Sequence, residues 1–316
     1  MKIKIVIIIC FILLPFVSKS QQVSQFSQYL FNPIYINPAY TGYKGDTFIQ
    51  SYIRKQWIGL EGGPSNFGIA ADGFLNDKNI GIGFHAGAET IGFQSTTTYQ
   101  GKFAYHLQLS RVSYLSMGMS AGFWNQKINT EMIDPIQAND PLLASNFNSD
   151  FYPELSFGLF YYHPNYFFSA ALSNVFSDLS NNSSSDFYQD PKKSINMSAG
   201  FVLDFYSDRT LEGSFLLMSD NKAPARIDLN LNFFLNRVIG FGLGTRNYTN
   251  FLIDFDQANS FSSMQLIFLT EINISEKLAV GYSFDYDLKN PFNSHELSVG
   301  YTIKNKSLKI LSPRYF

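Results

Sequence analysis

Residues 98–109 read Thr-Tyr-Gln-Gly-Lys-Phe-Ala-Tyr-His-Leu-Gln-Leu, and they show most clearly what kind of structure this chain forms. Every second residue from Tyr99 to Leu109 is apolar or glycine, and the residues between them are mostly polar. A period of two residues is the pattern of a β-strand with one apolar and one polar face. The same alternation runs through 195–205, 227–233, 278–287 and 295–304. In these five segments His295 is the only ionisable residue, apart from tyrosine, in the apolar set.

Applied to the whole chain, the alternation predicts fourteen strands. Fourteen is an even number, and each strand is close to the ~9–11 residues that cross a bilayer when tilted. Residues 249–256 could form a further strand, but we interpret them as part of a loop. The predicted strands are 47–57, 65–74, 79–89, 96–110, 113–125, 153–163, 165–174, 194–205, 210–219, 225–234, 238–246, 263–274, 277–287 and 294–304.

The connections between these strands alternate in length. One set is short throughout, whereas the other set holds every long connection, at 126–152, 175–193 and 247–262. Outer-membrane barrels have short turns on one side and long loops on the other, and a soluble sandwich has no reason to sort its loops. Only a closed sheet satisfies every backbone amide in lipid. The sequence therefore predicts an all-β fold, a transmembrane antiparallel β-barrel of about 14 strands over residues 46–305.

Composition agrees with a chain that has two unlike faces. Charged residues make up 15% of the 316 residues, where about 25% is usual, and aromatic residues make up 17%. The mean hydropathy of −0.06 then averages a lipid-facing and a lumen-facing set. A hydrophobic content of 45% excludes a disordered chain. Arg54 and Lys55 are adjacent in the first strand, so one of them must face outward or lie near the rim.

Residues 1–20 have the order of a cleaved signal peptide. Lys2 and Lys4 precede an apolar run from Ile5 to Val17, and small residues before Gln21 suit cleavage. An anchor helix is the alternative, but the run is shorter than the ~20 residues a bilayer requires. The only cysteine, Cys10, would be removed, so no disulfide is expected. The mature chain would carry more acidic than basic residues, which argues against nucleic acid as a partner.

Motifs that suggest chemistry are better explained by strands. Residues 118–122 match the G-x-S-x-G pattern of hydrolases, but Ser120 falls mid-strand rather than on a strand-to-helix turn. Glycine-rich 81–83 and 240–244 are not followed by a helix, so we expect small inward residues where backbones approach closely. His106 and Ser120 could meet in the lumen, although no local sequence supports an enzyme. Four separated histidines have no ligand spacing, and we predict no catalytic residue, metal or cofactor.

The segment before the first strand resembles a known family. Residues 25–42 read Gln-Phe-Ser-Gln-Tyr-Leu-Phe-Asn-Pro-Ile-Tyr-Ile-Asn-Pro-Ala-Tyr-Thr-Gly, which closely resembles the opening of the PorP/SprF family of type IX secretion system membrane proteins. Further matches are Arg-Lys-Gln-Trp-Ile-Gly at 54–59, Gly-Gly-Pro at 62–64, Gly-Tyr-Ser-Phe-Asp-Tyr at 281–286 and His-Glu-Leu at 295–297. Lys55 and Phe284 depart modestly from the family's usual Asn and Tyr.

The resemblance implies an outer-membrane protein that works with the type IX secretion and gliding machinery. It implies a role in exporting or holding a large cell-surface adhesin through the adhesin's C-terminal sorting domain. The three long loops would then be the docking surface. Outer-membrane lipid is a further expected partner. The main alternative is a channel for small solutes.

We assign residues 21–45 to an N-terminal periplasmic or plug segment and 306–316 to a C-terminal tail. Two Asn-Pro steps bar a long helix from the N-terminal segment, and its many apolar side chains must pack inside the barrel, against its rim or on a partner. As the contact with the secretion machinery, it supplies the candidate partner-binding residues. They are Gln28, Tyr29, Asn32, Pro33, Asn37, Pro38, Tyr40 and Gly42.

Overall fold

A computed structural model describes residues 26–75, 78–129, 150–177, 192–205, 208–220, 223–249, 264–290 and 292–305. These residues form fourteen strands, as the alternation predicted. No helix among them is both long and apolar enough to cross a bilayer. The strands are β1 (Thr47–Lys55), β2 (Ser65–Leu75), β3 (Ile80–Ile91), β4 (Gln94–Gln108), β5 (Tyr114–Ile128), β6 (Asp150–His163), β7 (Tyr166–Ser173), β8 (Ser194–Phe205), β9 (Arg209–Ser219), β10 (Ala225–Leu235), β11 (Ile239–Thr249), β12 (Met264–Asn273), β13 (Leu278–Asp287) and β14 (Asn293–Ile303).

The strands form one closed antiparallel barrel in which each strand pairs with its neighbours in sequence. The barrel closes where β1 pairs with β14, from Thr47 opposite Ile303 to Lys55 opposite His295. Closure leaves no sheet edge unpaired, which is the condition for a sheet that crosses lipid. The predicted transmembrane barrel is therefore confirmed.

Side chains alternate between the lipid and the lumen along every strand. Leu243 faces outward and is 63% exposed, whereas Arg246 on the same strand faces inward and is 0% exposed. Of the adjacent basic pair, Arg54 points into the lumen and is buried, and Lys55 ends β1 on the outer face. This confirms the prediction that one of the two must face outward or lie near the rim.

The two ends of the barrel differ as predicted. The turns after β2, β4, β6, β8, β10 and β12 are all short and lie at one end, which we call the short-turn end. The three longest connections, after β5, β7 and β11, lie at the other, long-loop end. The strand boundaries agree with the prediction to within about three residues; β3 and β4, for example, continue two residues further, to a tight turn at Gly92 and Phe93, where the backbone of Gly92 has a φ of 56°.

Several expectations fall outside the described residues. They include the signal peptide at 1–20, the tail at 306–316 and most of the loops 126–152, 175–193 and 247–262. The same holds for 250–256, most of the segment that could have formed a further strand. These remain predictions.

Candidate functional site

Residues 26–46 lie inside the barrel and are called the plug below. Two short 3₁₀ helices, Pro33–Tyr35 and Pro38–Tyr40, shape it. Each begins at a proline that follows an asparagine, and proline suits a helix start because its φ is fixed and it has no N–H to satisfy. The apolar side chains that the sequence left without a place to pack are buried here. They are Phe26, Tyr29, Leu30, Ile34, Ile36, Ala39, Tyr40 and Tyr43.

Asn37 attaches the plug to the barrel wall. Its Oδ1 caps the second helix by accepting from the Ala39 amide at 2.8 Å. Its Nδ2 is 3.0 Å from the Leu159 carbonyl oxygen, 2.7 Å from Ser169 Oγ and 3.2 Å from the Ala170 carbonyl oxygen, on β6 and β7. Asn32, in the other Asn-Pro step, is equally buried, yet its carboxamide has no hydrogen-bond partner among the described residues. The two Asn-Pro steps therefore differ, because the Asn37 carboxamide binds the barrel wall and the Asn32 carboxamide bonds to no described residue.

Glycines of the wall lie where the plug backbone comes closest. A Cβ on Gly118 would overlap the backbone of Ala39, and a Cβ on Gly158 would overlap Asn37 Oδ1. A Cβ on Gly81 would likewise overlap the carbonyl of Thr41. These positions leave no room for a side chain, as expected for glycine at close backbone approaches. Gly118 of the G-x-S-x-G pattern and Gly81 of the pattern at 81–83 therefore provide space for the plug, whereas the glycines at 240–244 lie against the wall residues Phe234, Asn232 and Asn230.

Aromatic side chains of the plug pack on aromatic side chains of the wall. The ring centroid of Tyr40 lies 4.0 Å from that of Phe160. The Phe26 ring is 4.6 Å from the ring of Tyr52, and Tyr35 is 4.9 Å from the same ring. Such pairs add about 0.5–1.5 kcal/mol each beyond the area they bury. The plug is thus held by packing as well as by polar contacts.

Buried charged side chains of the wall form an alternating series across five strands. Arg54 pairs with Asp285 at 2.6 Å and with Glu296 at 3.1 Å. Arg246 pairs with Asp285 at 3.2 Å and with Asp228 at 3.0 Å. All lie in the half of their strands nearer the long-loop end. In order, this ion chain is Glu296, Arg54, Asp285, Arg246, Asp228 and Arg226.

The ion chain balances its own charge, with three arginines against three carboxylates. Every member is at most 3% exposed, so each charge depends on its neighbours rather than on water. Removing one partner of a buried ion pair costs about 3–5 kcal/mol, because the other charge is left uncompensated. The ion chain is therefore sensitive to the loss of any single member.

The ion chain holds the main chain of the plug at Phe26, Ser27 and Gln28. Glu296 accepts the amides of Ser27 at 2.9 Å and Gln28 at 3.0 Å. The carbonyl oxygen of Phe26 accepts from Arg226 at 2.6 Å and from Arg246 at 3.3 Å. Charge-assisted hydrogen bonds of this kind are about twice as strong as neutral ones. These bonds engage backbone groups, so they hold the main chain of the plug directly.

The hydroxyl of Ser27 completes the contact. It donates to Asp285 at 2.7 Å and accepts from Arg54 at 3.0 Å and Arg246 at 2.9 Å. One small side chain thereby touches three members of the ion chain. A larger residue at this position would displace the arginines.

Further along the plug, two basic wall residues bind carbonyl groups. Lys102 Nζ donates to the Ile34 carbonyl at 2.8 Å. His106 Nε2 lies 2.8 Å from the Thr41 carbonyl and its Nδ1 lies 3.1 Å from Tyr162 Oη. A carbonyl can only accept, so Nε2 carries the proton and Nδ1 accepts from the tyrosine. Both ring nitrogens are engaged, which leaves His106 no nitrogen to activate Ser120.

The structure brings all eight candidate partner-binding residues together, and it places them inside the lumen. Ser27, Arg226 and Arg246 were not singled out from the sequence. The spacing Arg226-x-Asp228 could have indicated a pair on the inward face, but the remaining partners depend on strand register. The buried candidates are Gln28, Tyr29, Asn32, Pro33, Asn37, Pro38, Tyr40 and Gly42.

Comparison with known proteins supports one family. The family described as type IX secretion system membrane protein PorP/SprF matches residues 18–301, which is nearly the whole chain. The chain belongs to the PorP/SprF family. The plug, with its two Asn-Pro steps, and the Arg54, Asp285 and Glu296 part of the ion chain lie in the stretches that resemble this family.

Solved structures agree on the fold of this PorP/SprF member. The CymD monoaromatic hydrocarbon channel matches with a TM-score of 0.56 and 10% identity, covering 90% of this chain and 94% of the channel. The outer membrane protein Omp33 of Acinetobacter baumannii matches with a TM-score of 0.47 and 9% identity, covering 82% and 98%. At this identity the similarity to CymD shows the outer-membrane barrel fold alone. No curated protein matches the sequence significantly.

Proposed function

We propose that this barrel is a non-enzymatic component of the type IX secretion and gliding system that helps to secrete and anchor a large cell-surface adhesin. It would recognise the adhesin through the adhesin's C-terminal sorting domain. The chain would reach the outer membrane by way of a cleaved signal peptide at residues 1–20. Membership of the PorP/SprF family supports the role in type IX secretion, and the plug in the lumen supports the role in holding another protein.

The observation that carries the proposal is the filling of the lumen by residues 26–46. Wall side chains such as Ser116, Ser283 and Gln50 point inward and are at most 2% exposed, because the plug covers them. We infer that a lumen occupied in this way is not an open path for solutes. A barrel with a filled lumen acts through its surfaces, which suits a protein that holds another protein.

We consider two roles for the eight candidate partner-binding residues: holding the plug in the lumen and contacting a partner in the periplasm. In the plugged state these residues are buried in the lumen and do not reach the surface. A partner in the periplasm could touch them only after the plug leaves the lumen. We therefore propose that they control the state of the barrel, and that loops 126–152, 175–193 and 247–262 at the long-loop end provide the docking surface for the adhesin.

Co-purification is the direct test. The full chain, tagged near its C-terminus and purified from its own cells, should retain a large secreted protein that ends in a sorting domain. Mass spectrometry identifies it. A variant without residues 130–149, in the longest connection, should lose that protein while still migrating as a folded barrel on gels of unheated samples. The control is a change at the short-turn end: glycine in place of Asn236 and Arg237, in the turn after β10, suits their positive φ angles of 52° and 56°.

Deletion of the gene provides the second measurement. Surface adhesins should be missing from the cells or released into the medium, as detected by surface labelling and immunoblots. Adhesins that are secreted and attached normally without this barrel would rule out the proposal. An adhesin gene beside this one would agree with it.

A channel for small-solute uptake is the alternative. It requires an open polar path, and the lumen-facing Asp and Lys side chains alone do not define one. Liposomes containing the barrel should not swell in isotonic sugar solutions. Swelling at a rate comparable to that of a porin would favour the channel.

A further inference from the structure

The lipid-facing side of the fourteen strands is almost free of charge, and the exceptions are all basic. No Asp or Glu occupies an outward position on any of these strands. Mid-strand positions are uncharged, as expected where a charge would meet hydrocarbon. The basic residues at outward positions are Lys55, Lys127, His163, Arg209 and His295.

Only two of these five lie side by side. Lys55 ends β1 and His295 is near the start of β14, and they are directly opposite each other where the barrel closes. Residues opposite each other on antiparallel strands have Cβ atoms about 4.5–5.5 Å apart. Both lie at the long-loop end, which faces the outside of the cell in outer-membrane barrels. They therefore form a small basic patch on the lipid-facing side of the long-loop end.

Tyr282 on β13 orients the histidine. Its hydroxyl lies 2.6 Å from His295 Nδ1, and the ring of Phe284 packs on the imidazole at 5.1 Å. With the tyrosine hydroxyl donating to Nδ1, the proton of a neutral imidazole lies on Nε2. His295 thus presents one N–H donor beside the ammonium of Lys55.

Among the described residues, no acidic side chain lies within ion-pair distance of this patch. Lys55 forms no ion pair with any described residue, and Glu61 in the adjacent connection 56–64 is not within ion-pair distance of it. When both groups are charged, like charges directly opposite each other destabilise a sheet, and an anion between them offsets the repulsion. A lysine on the lipid face also needs a charged or aqueous partner at the interface.

We propose that Lys55 and His295 bind a phosphate group of a lipid in the outer leaflet, namely lipid A. The next outward residues below the patch are Ile53 and Leu297, opposite each other, followed by Val299. All three are exposed and apolar, so they offer an acyl chain a surface directly below the bound phosphate. The site would hold the lipid against the seam between β1 and β14.

The test uses native mass spectrometry on the full chain purified in detergent. Bis-phosphorylated lipid A should bind, and its dephosphorylated form should not. The double variant Lys55→Gln with His295→Gln should bind lipid A about a hundredfold more weakly, because two charge-assisted hydrogen bonds are lost. Lys127→Gln, which removes an outward lysine without a basic neighbour, should bind like the unmodified chain, and Lys55→Arg should retain binding.

Three results would overturn the proposal. They are unchanged lipid A binding by the double variant, equal binding of dephosphorylated lipid A, and equal binding of phosphatidylglycerol. Each variant should run as a folded barrel on gels of unheated samples. If the double variant does not fold, the single variant Lys55→Gln gives the same comparison with a smaller loss, and unchanged binding there counts against the site.

Discussion

Single residues decide how firmly the plug is held, and Asn37 does more than its neighbours. Its carboxamide both caps a helix of the plug and reaches three acceptors on β6 and β7. The Asn-Pro repeat was visible in the sequence, but the difference between its two members was not. The contacts of Asn37 are made with strands more than a hundred residues away, which local patterns do not report.

Replacing Asn37 with alanine should destabilise the barrel by about 1–3 kcal/mol, because buried polar groups lose their partners. Urea unfolding in detergent, followed by tryptophan fluorescence, measures the loss. Asn32→Ala is the matched control, since that carboxamide has no hydrogen-bond partner among the described residues and should cost less. An equal cost for both variants would contradict the assignment.

Gly158→Ala should loosen the plug while the barrel still forms. The added methyl group would overlap Asn37 Oδ1, whereas at the outward-facing Gly101 the nearest atom to an added Cβ is 3.9 Å away. Trypsin cleavage after Lys44, within the plug, should become faster in Gly158→Ala and stay slow in Gly101→Ala. Equal cleavage in the two variants would mean that the close approach at Gly158 does not control the plug.

At the scale of elements, the ion chain joins strands from both ends of the sequence. It connects β1 with β10, β11, β13 and β14, and the plug lies across it. Alternation predicted that Asp228, Asp285 and Glu296 face inward, and the strands themselves were predicted to within a few residues. Which carboxylate pairs with which arginine depends on the register between neighbouring strands around the barrel. The alternation within one strand does not reveal that register.

Arg246→Ala should cost about 3–5 kcal/mol, because Asp228 and Asp285 lose a buried partner together. Urea unfolding again provides the measurement. Arg237→Ala is the control: its pair with Asp204 is 3.9 Å long and half exposed, and exposed pairs contribute at most about 1 kcal/mol. Equal stability of the two variants would contradict a stabilising role for the ion chain.

At the scale of the whole molecule, the barrel and its plug are one structure. The sequence predicted the barrel because strand period, strand number and loop lengths are each local properties. It did not decide whether the N-terminal segment packs inside the barrel, against its rim or on a partner, because an apolar composition shows that a segment packs but not where. The wall glycines at 81, 118 and 158 were the available clue, because small inward residues make room for something inside.

Deletion of residues 26–42 should open the lumen. The unmodified chain should be nearly silent in planar lipid bilayers, and the deletion variant should conduct ions in steps that persist at constant voltage. The variant Gly158→Ala should open only transiently. Conductance of the unmodified chain equal to that of the deletion variant would show that the plug does not close the barrel.

The contacts of Ser27 also constrain the order in which the protein folds. Ser27 is among the first residues of the plug, yet it bonds to Glu296, 269 positions later in the chain. Contacts between such distant positions form late, because a long loop must close first. This contact of the plug therefore requires β14 to be in place, and we expect resistance of Lys44 to trypsin not to appear before the folded band on gels of unheated samples. A plug in its final position would therefore indicate that the barrel has finished folding.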